Sequence, residues 1–592
     1  MQIVAWRTDV RVAVSEGGVP ITRPTLFAEV GPLREGGHGR TPHPLDNNPG
    51  SAAGHSQVGP KGFGVLPELC NRGSTTLSPV LKRILLALVA GVVLSLAFEP
   101  VAAPIVLPFA VAGFFLSVRG LRARQGWWVG LVFGVSFYYV HIWWMHVVAL
   151  PAWLALAGIE AFFYGVLGAV VAVLGARRWW PLWVTAAWVA VEVLRSGWPF
   201  SGMPWGRLAF ATVDTPVAAS LPYVGMVGVT ALLALAGALL AWLVVAQGRE
   251  RRFALGAVAA LVAVLAVPAL ASYTPDEVGS TTVAVVQGDV PGPGNDILYD
   301  PDGVTENHVR ATVDLADDVR AGDVPAPDFV VWPENSTASD PFNRQVIGDG
   351  IREAVAAVDV PVLVGAIVDG DPGHVLNQGI VWDPVTGAGE RYTKQNPVPW
   401  GEYIPFRKYL DYNIGDLSSI GRDMLRGTRE EPLTVAGVRI ADAICFDVAY
   451  DGGIQAQLAR GAELMVVQTS NASFMGSDQI DQQFAITRLR AIETGRWLTV
   501  ASTNGLSGIV APDGTVVATA DPRTTAVLVE EVGLVDDVPP GIRVGPWVAR
   551  LCIAATLAGL VLAMLTYRRR RTLPRPVEPG PDGPRLQETK QE

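Results

Sequence analysis

The sequence predicts a membrane protein of about eight transmembrane α-helices, with one extracytoplasmic α/β domain set between the seventh and the eighth. Three observations lead there. Half of the residues are hydrophobic and only 17% are charged, with a mean hydropathy of +0.32, too apolar for an ordinary soluble chain. The apolar residues fall in long runs. Charge is segregated: residues 281–535 hold 36 acidic and 17 basic side chains, a net −19 against −10 for the whole chain. An acidic soluble block between basic, apolar flanks argues against nucleic acid as a partner.

Residues 1–78 are rich in Gly, Pro, Ser and Arg without sustained periodicity, and are expected to be a disordered extension. They lack the basic start and apolar core of a signal peptide. The three cysteines, Cys70, Cys445 and Cys552, are too few and too scattered for a disulfide framework. No CxxC or Cys/His cluster points to a metal, and no cofactor is expected.

Apolar segments follow at about 82–98, 102–119, 126–147, 152–175, 179–195, 223–246 and 252–272, with an eighth at 546–567. Most can cross about 30 Å of hydrocarbon at 1.5 Å per residue; the first two also read as a tight hairpin. Lys82 and Arg83, then Arg119, Arg122 and Arg124, then Arg177 and Arg178, then Arg249, Arg251 and Arg252, then Arg568–Arg571 flank these segments. With eight spans every cluster falls on one side, which the positive-inside rule makes cytoplasmic. Arg195 and Arg207 are the exceptions. The expected organisation is a membrane domain over 79–275, a soluble domain over 276–540, a last span over 541–568 and a disordered cytoplasmic tail over 569–592.

Polar residues inside the apolar region need a reason. Glu160 and Glu192 call for a polar neighbour or a substrate, and His141 and His146 read as interfacial. The stretch "RSGWPFSGMPWGRLAF" is too broken to span. It reads either as an interfacial loop anchored by Trp198 and Trp205 or as part of a lipid-facing entrance.

From Thr281 the pattern changes to short β-rich runs ("TTVAVVQGDV", "DFVVWPE", "VPVLVGAIV", "NQGIVWDP", "VRIADAICF", "AELMVVQTS", "WLTVASTNG") alternating with helical stretches. Several runs are continuously apolar, which predicts strands covered on both faces in an α/β domain of about 250 residues. Three strand ends carry polar residues that packing does not require. "VVWPENS" places Glu334 behind a strand-stopping proline, "RYTKQNPVPWGEYIPF" holds Lys394 and Glu402 in an irregular loop, and "DAICFDV" holds Cys445. Each alone also reads as an ordinary structural residue. Together they can do acyl transfer: a thiol as nucleophile, a carboxylate as its base, and an ammonium, with a backbone N–H beside the cysteine, for the oxyanion. A lysine close by also favours thiolate over thiol.

In their flanking sequences the Glu, Lys and Cys resemble the nitrilase (carbon–nitrogen hydrolase) superfamily. Seven preceding spans and one following resemble its apolipoprotein N-acyltransferase family, a likeness covering about residues 82–567. It includes "LAFEP", "GLVFGVSFYYVHIWW", "SGMPWG", "AVVQGDVP", "VWPENS", "PVPWGEYIPF", "ICFD" and "QTSNASF".

The resemblance implies an αββα nitrilase-like sandwich, with Glu334 as general base, Lys394 as oxyanion stabiliser and Cys445 as nucleophile. Glu402 then supports Lys394, and Phe446 and Asp447 stand where the family most often has Tyr-Glu. Trp400, Tyr299 and Trp205 are candidate substrate-binding residues.

The implied reaction moves an acyl chain from a membrane phospholipid to the α-amine of an apolipoprotein's N-terminal diacylglyceryl-cysteine through a Cys445 thioester. The implied location is the bacterial plasma membrane, with the C-terminus cytoplasmic and membrane lipids as surroundings. A membrane-anchored amidase using the same three residues, or a transporter or receptor with a binding domain, are the alternatives.

Overall fold

The computed structural model describes residues 78–271, 273–409 and 420–572. The expected extension over 1–78 and tail over 569–592 lie, except at their inner edges, outside the described residues.

Seven helices come first: α1 (Pro79–Ser95), α2 (Leu107–Val118), α3 (Ala123–His141), α4 (Leu150–Leu174), α5 (Trp180–Gly197), α6 (Leu221–Val245) and α7 (Gly248–Leu270). They match the seven apolar segments, but α2 has only 12 residues. Among the described residues, four helices are long and apolar enough to cross a membrane: Leu150–Leu174, Pro216–Val245, Gly248–Leu270 and Pro540–Arg569. Ser78 caps α1 by accepting from the Leu81 N–H, with Pro79 at the first helical position. Arg83 donates to the carbonyls of Ser117 (3.0 Å) and Arg119 (2.6 Å). The start of α1 therefore lies beside the end of α2, so the two helices run antiparallel.

The closest helix contact is a glycine seam. Gly126, Gly130 and Gly134 recur every fourth residue on α3, and a Cβ on Gly130 would sit 2.2 Å from the Tyr164 carbonyl oxygen of α4. Only hydrogen fits, and the two backbones gain van der Waals contact that larger residues would prevent.

The two acids within the apolar helices have partners. Arg195 meets Glu160 at 3.2 Å with both side chains buried, and Arg207 lies 3.7 Å from Glu192. The two basic residues that broke the positive-inside pattern are thus structural cations. His141, at the end of α3, is buried, its ring stacked on Phe137 at 5.1 Å.

The soluble domain holds α8 (Pro301–Ala321), α9 (Gln345–Val358), α10 (Gly452–Ala459) and α11 (Gln479–Thr494), and is followed by α12 (Pro540–Thr572). Its strands are β1 (Gly279–Gln287), β2 (Phe329–Val331), β3 (Val362–Asp369), β4 (His374–Asp383), β5 (Gly387–Thr393), β6 (Asp423–Met424), β7 (Leu433–Val435), β8 (Val438–Ile444), β9 (Leu464–Thr469), β10 (Leu498–Ser502), β11 (Ser507–Val510), β12 (Val516–Ala520) and β13 (Ala526–Leu534). One sheet runs β13-β1-β2-β3-β4-β5 with β6 on β4, the other β12-β11-β10-β9-β8-β7.

Val285, Val331 and Leu363 of the first sheet share an apolar core with Ile440, Leu464 and Ile509 of the second. The outer face of the first sheet packs on Leu315, Ile347 and Ile351 of α8 and α9. The outer face of the second packs on Leu458, Ile486 and Leu489 of α10 and α11, in a core continuous with the helical bundle. The layers are therefore αββα, with the bundle lying against the fourth.

Candidate active site

Glu334 follows β2, whose run ends at Pro333. The chain there passes so near β3 that a Cβ on Gly365 would lie 2.1 Å from the Pro333 carbonyl oxygen. Only glycine permits that approach, and it fixes where the Glu334 carboxylate emerges. One carboxylate oxygen accepts from Lys394 Nζ (2.9 Å) and Asn377 Nδ2 (2.7 Å), the other from the Ser470 N–H (3.0 Å).

Lys394 follows β5 and is fully buried. Its ammonium bridges Glu334 and Glu402, the latter at 2.6 Å. Burial works against its charge, but the two carboxylates override burial and hold its pKa well above the ordinary lysine range. Glu402 accepts the Val398 N–H at 2.8 Å, closing its own loop around the carboxylate. Burial raises the Glu402 pKa and Lys394 pulls it back.

Cys445 directly follows β8 with φ +51°, in the left-handed region that non-glycine residues rarely adopt. A tight turn over Cys445–Ala449 follows. The half-buried thiol senses Glu334, Lys394 and Glu402 together, with Thr469 also near it. Burial, then the Glu334 charge, push the thiol up to about 12, outweighing Lys394. Lys394 does pull the thiol toward thiolate, as the sequence suggested, but burial and Glu334 outweigh it, so the thiol stays protonated at neutral pH and needs a base.

Asp447 is buried, and it has a clear task. It accepts from the Asn396 N–H and side chain (2.8 Å each), the Gln395 N–H (3.1 Å), the Tyr392 hydroxyl (3.0 Å) and the Ile444 N–H (3.4 Å). One carboxylate thus ties the loop behind Lys394 to the turn behind Cys445. Phe446 stacks on Trp205 of the bundle, centroids 6.0 Å apart, and meets Tyr450 edge-on.

The turn leads straight to Asp451, which pairs with Arg207 of the bundle and Arg490 of α11, each at 2.8 Å. Arg490 also donates to the Val448 carbonyl at 2.8 Å. Burial works against the Asp451 charge, but the two guanidiniums prevail and hold its pKa below the usual carboxylate range. The hydroxyls of Tyr450 and Tyr403 donate to the carbonyls of Gly202 (2.9 Å) and Phe200 (3.2 Å). The "RSGWPFSGMPWGRLAF" loop is therefore the seat of the soluble domain: Trp205 is buried while Trp198 is 61% exposed.

Glu334, Lys394, Glu402 and Cys445 converge, and Asp447 braces them. Trp400 is at the exposed edge of the Glu402 loop, Tyr299 is 64% exposed on the loop between β1 and α8, and Trp205 is held by the bundle. Sequence reasoning missed Asn377, Asn396, Thr469 and Asp451. Thr469 and Ser470 stood in the quoted "QTSNASF", but nothing in their spacing announced a role.

Residues 90–239 match the family described as apolipoprotein N-acyltransferase N-terminal domain, and residues 282–536 match carbon-nitrogen hydrolase. The chain is 33% identical over 480 residues to an apolipoprotein N-acyltransferase of Mycolicibacterium smegmatis, covering 77% of this chain and 80% of that one. It is 31% identical over 518 residues to the protein of that name from Ralstonia nicotianae, covering 82% and 93%. Among solved structures it is similar to an amidase from Nesterenkonia sp., at 16% identity and a TM-score of 0.32, covering 45% of this chain and 94% of that one.

Proposed function

The chain belongs to the apolipoprotein N-acyltransferase family, and from that premise we propose that Cys445 carries an acyl group from a phospholipid to the N-terminal amine of a diacylglyceryl-cysteine apolipoprotein. The protein is a bacterial membrane acyltransferase that acts in lipoprotein N-acylation, with phospholipids and lipoproteins as its general substrates. The observation that carries the residue assignment is the buried Lys394 ammonium bridging two carboxylates beside a thiol held on a left-handed turn.

The steps follow from those groups. Glu334 takes the thiol proton as sulfur attacks the ester carbonyl, and Lys394 faces the oxyanion. The carbon–oxygen bond breaks, the proton passes from Glu334 to the departing lysophospholipid, and a thioester remains. The acceptor amine then attacks, Glu334 takes its proton, the carbon–sulfur bond breaks, and the thiol is restored. Because the thiol is protonated at rest, it resists stray electrophiles until a carbonyl is in place.

Incubating purified protein with phospholipid and weighing it intact tests this. The expected result is an acyl-sized mass gain, absent in Cys445→Ala, and discharged as N-acyl peptide by a diacylglyceryl-cysteine peptide. A gain that survives Cys445→Ala, or discharge only as free fatty acid, would overturn the assignment.

The proposal includes eight spans over 79–275 and 541–568, a catalytic domain over 276–540 on the extracytoplasmic face and a cytoplasmic C-terminus. The side-by-side basic ends of α1 and α2, joined through Arg83, support that orientation. Val385 is 91% exposed on the β4–β5 turn. A cysteine there should react in intact cells, opened to their outer membrane face, with a membrane-impermeant maleimide. Labelling only after lysis would reverse the topology.

A further inference from the structure

The contact between the bundle and the soluble domain converges on one amide. Gln482 of α11 is buried, and its oxygen accepts both the Trp144 and the Trp205 indole N–H, at 2.9 and 2.7 Å. Its nitrogen donates to the carbonyls of Glu99 (2.8 Å) and His141 (3.3 Å). Indoles only donate and carbonyls only accept, so the amide has one orientation, and all four of its hydrogen-bonding positions are used. The four partners come from separate stretches of the bundle: the α1–α2 connection, the end of α3, the segment after α3 and the α5–α6 loop.

Trp205 is what makes this more than docking. Its N–H is held by Gln482, its carbonyl accepts from the Tyr138 hydroxyl (3.0 Å) and Arg195 (2.9 Å), and its ring lies on Phe446. Phe446 is the residue after Cys445, whose left-handed backbone needs support from outside the turn. The ring is fixed at its edge and at its backbone, so displacing the Gln482 amide moves it against Phe446.

We propose that Gln482 is a positioning residue that sets the Cys445 turn against the membrane bundle through Trp205 and Phe446. It touches neither substrate nor the thiol. Leucine keeps the volume but leaves two buried indole N–H groups and two carbonyls unmatched. Phenylalanine in place of Trp205 removes the same link from its other side. Trp205, a candidate substrate residue by sequence, is on this view part of the support. The inference rests on Cys445 being the acylated residue, but it can be tested without that reaction.

Full-length wild type, Gln482→Leu, Trp205→Phe and the double variant are compared in detergent, with folding checked by thermal unfolding. Two readouts are taken: alkylation of Cys445 by iodoacetamide, followed on its own peptide, and acyl-enzyme formation from phosphatidylethanolamine in mixed micelles. Loosening the turn should speed alkylation at least fivefold while slowing acylation at least tenfold. The double variant should stay within twofold of Gln482→Leu, because both changes break one link. A folded Gln482→Leu with wild-type alkylation, or a double variant whose effects multiply, overturns the proposal. Should Gln482→Leu not fold, Trp205→Phe decides by the same alkylation test. If wild type is never acylated the proposed reaction fails, and the alkylation arm still decides the role of Gln482.

Discussion

Glu334→Gln should slow acyl-enzyme formation about 10³-fold at neutral pH, within the range general-base catalysis supplies. The carboxylate is the group beside the thiol that can take its proton, and Lys394, Asn377 and the Ser470 N–H fix it in place. Glutamine keeps the shape and loses the basicity. The pH profile makes the test specific. Burial is the larger cause of the raised thiol pKa, about 12, and burial remains in the variant. Only the scarce thiolate can then attack, and well below its pKa that fraction grows tenfold per pH unit. The variant's rate should therefore climb steeply from pH 7 to 10. A loss below tenfold, or a flat profile over that range, would remove Glu334 from the role of base.

Lys394→Met should act on activity and stability at once. The oxyanion loses its facing cation, which costs at least about 10²-fold in rate. Glu334 and Glu402 are left with no ammonium between them. Removing one partner from a buried ionic cluster typically costs about 3–5 kcal/mol. Lys394 is fully buried and both contacts are short, so the upper part of that range is expected. Adding Glu402→Gln should return part of the stability and none of the activity, read from denaturant midpoints and the intact-mass assay. A Lys394→Met protein as stable as wild type would mean that the carboxylates find other partners.

The groups of the candidate site were legible because each sits at the end of an apolar run, where a charged or thiol side chain is conspicuous. Glu334 behind Pro333 and Cys445 after "DAI" are examples, and the strands carrying them fall where the runs predicted. Among strands, β5–β7 and β11–β13 were missed. They are short or mixed, as in the Gly387–Thr393 segment, whose exposed Glu390 breaks any apolar run. Eight apolar segments became eight helices, but hydropathy alone did not show that the run over 102–119 would yield an α2 of only 12 residues. What spacing could not show is partnership across the chain. Arg207 with Asp451 joins residues 244 positions apart, and Gln482 reaches Trp144 across 338. Such pairings exist only once the domains pack. Nor could spacing show the contacts of Phe446 and Asp447: Asp447 accepts from the Asn396 N–H, and Phe446 stacks on Trp205.

Glu334 and Lys394 leave strands of one sheet, while Cys445 leaves the other. The two halves meet only when the sandwich closes, and the Ser470 N–H that steadies Glu334 also belongs to the cysteine's side. Before that closure a nascent chain carries an ordinary cysteine without a base aimed at it. Acyl transfer as proposed therefore requires both sheets in place: a chain with only one of them formed has parts of the site but not the site.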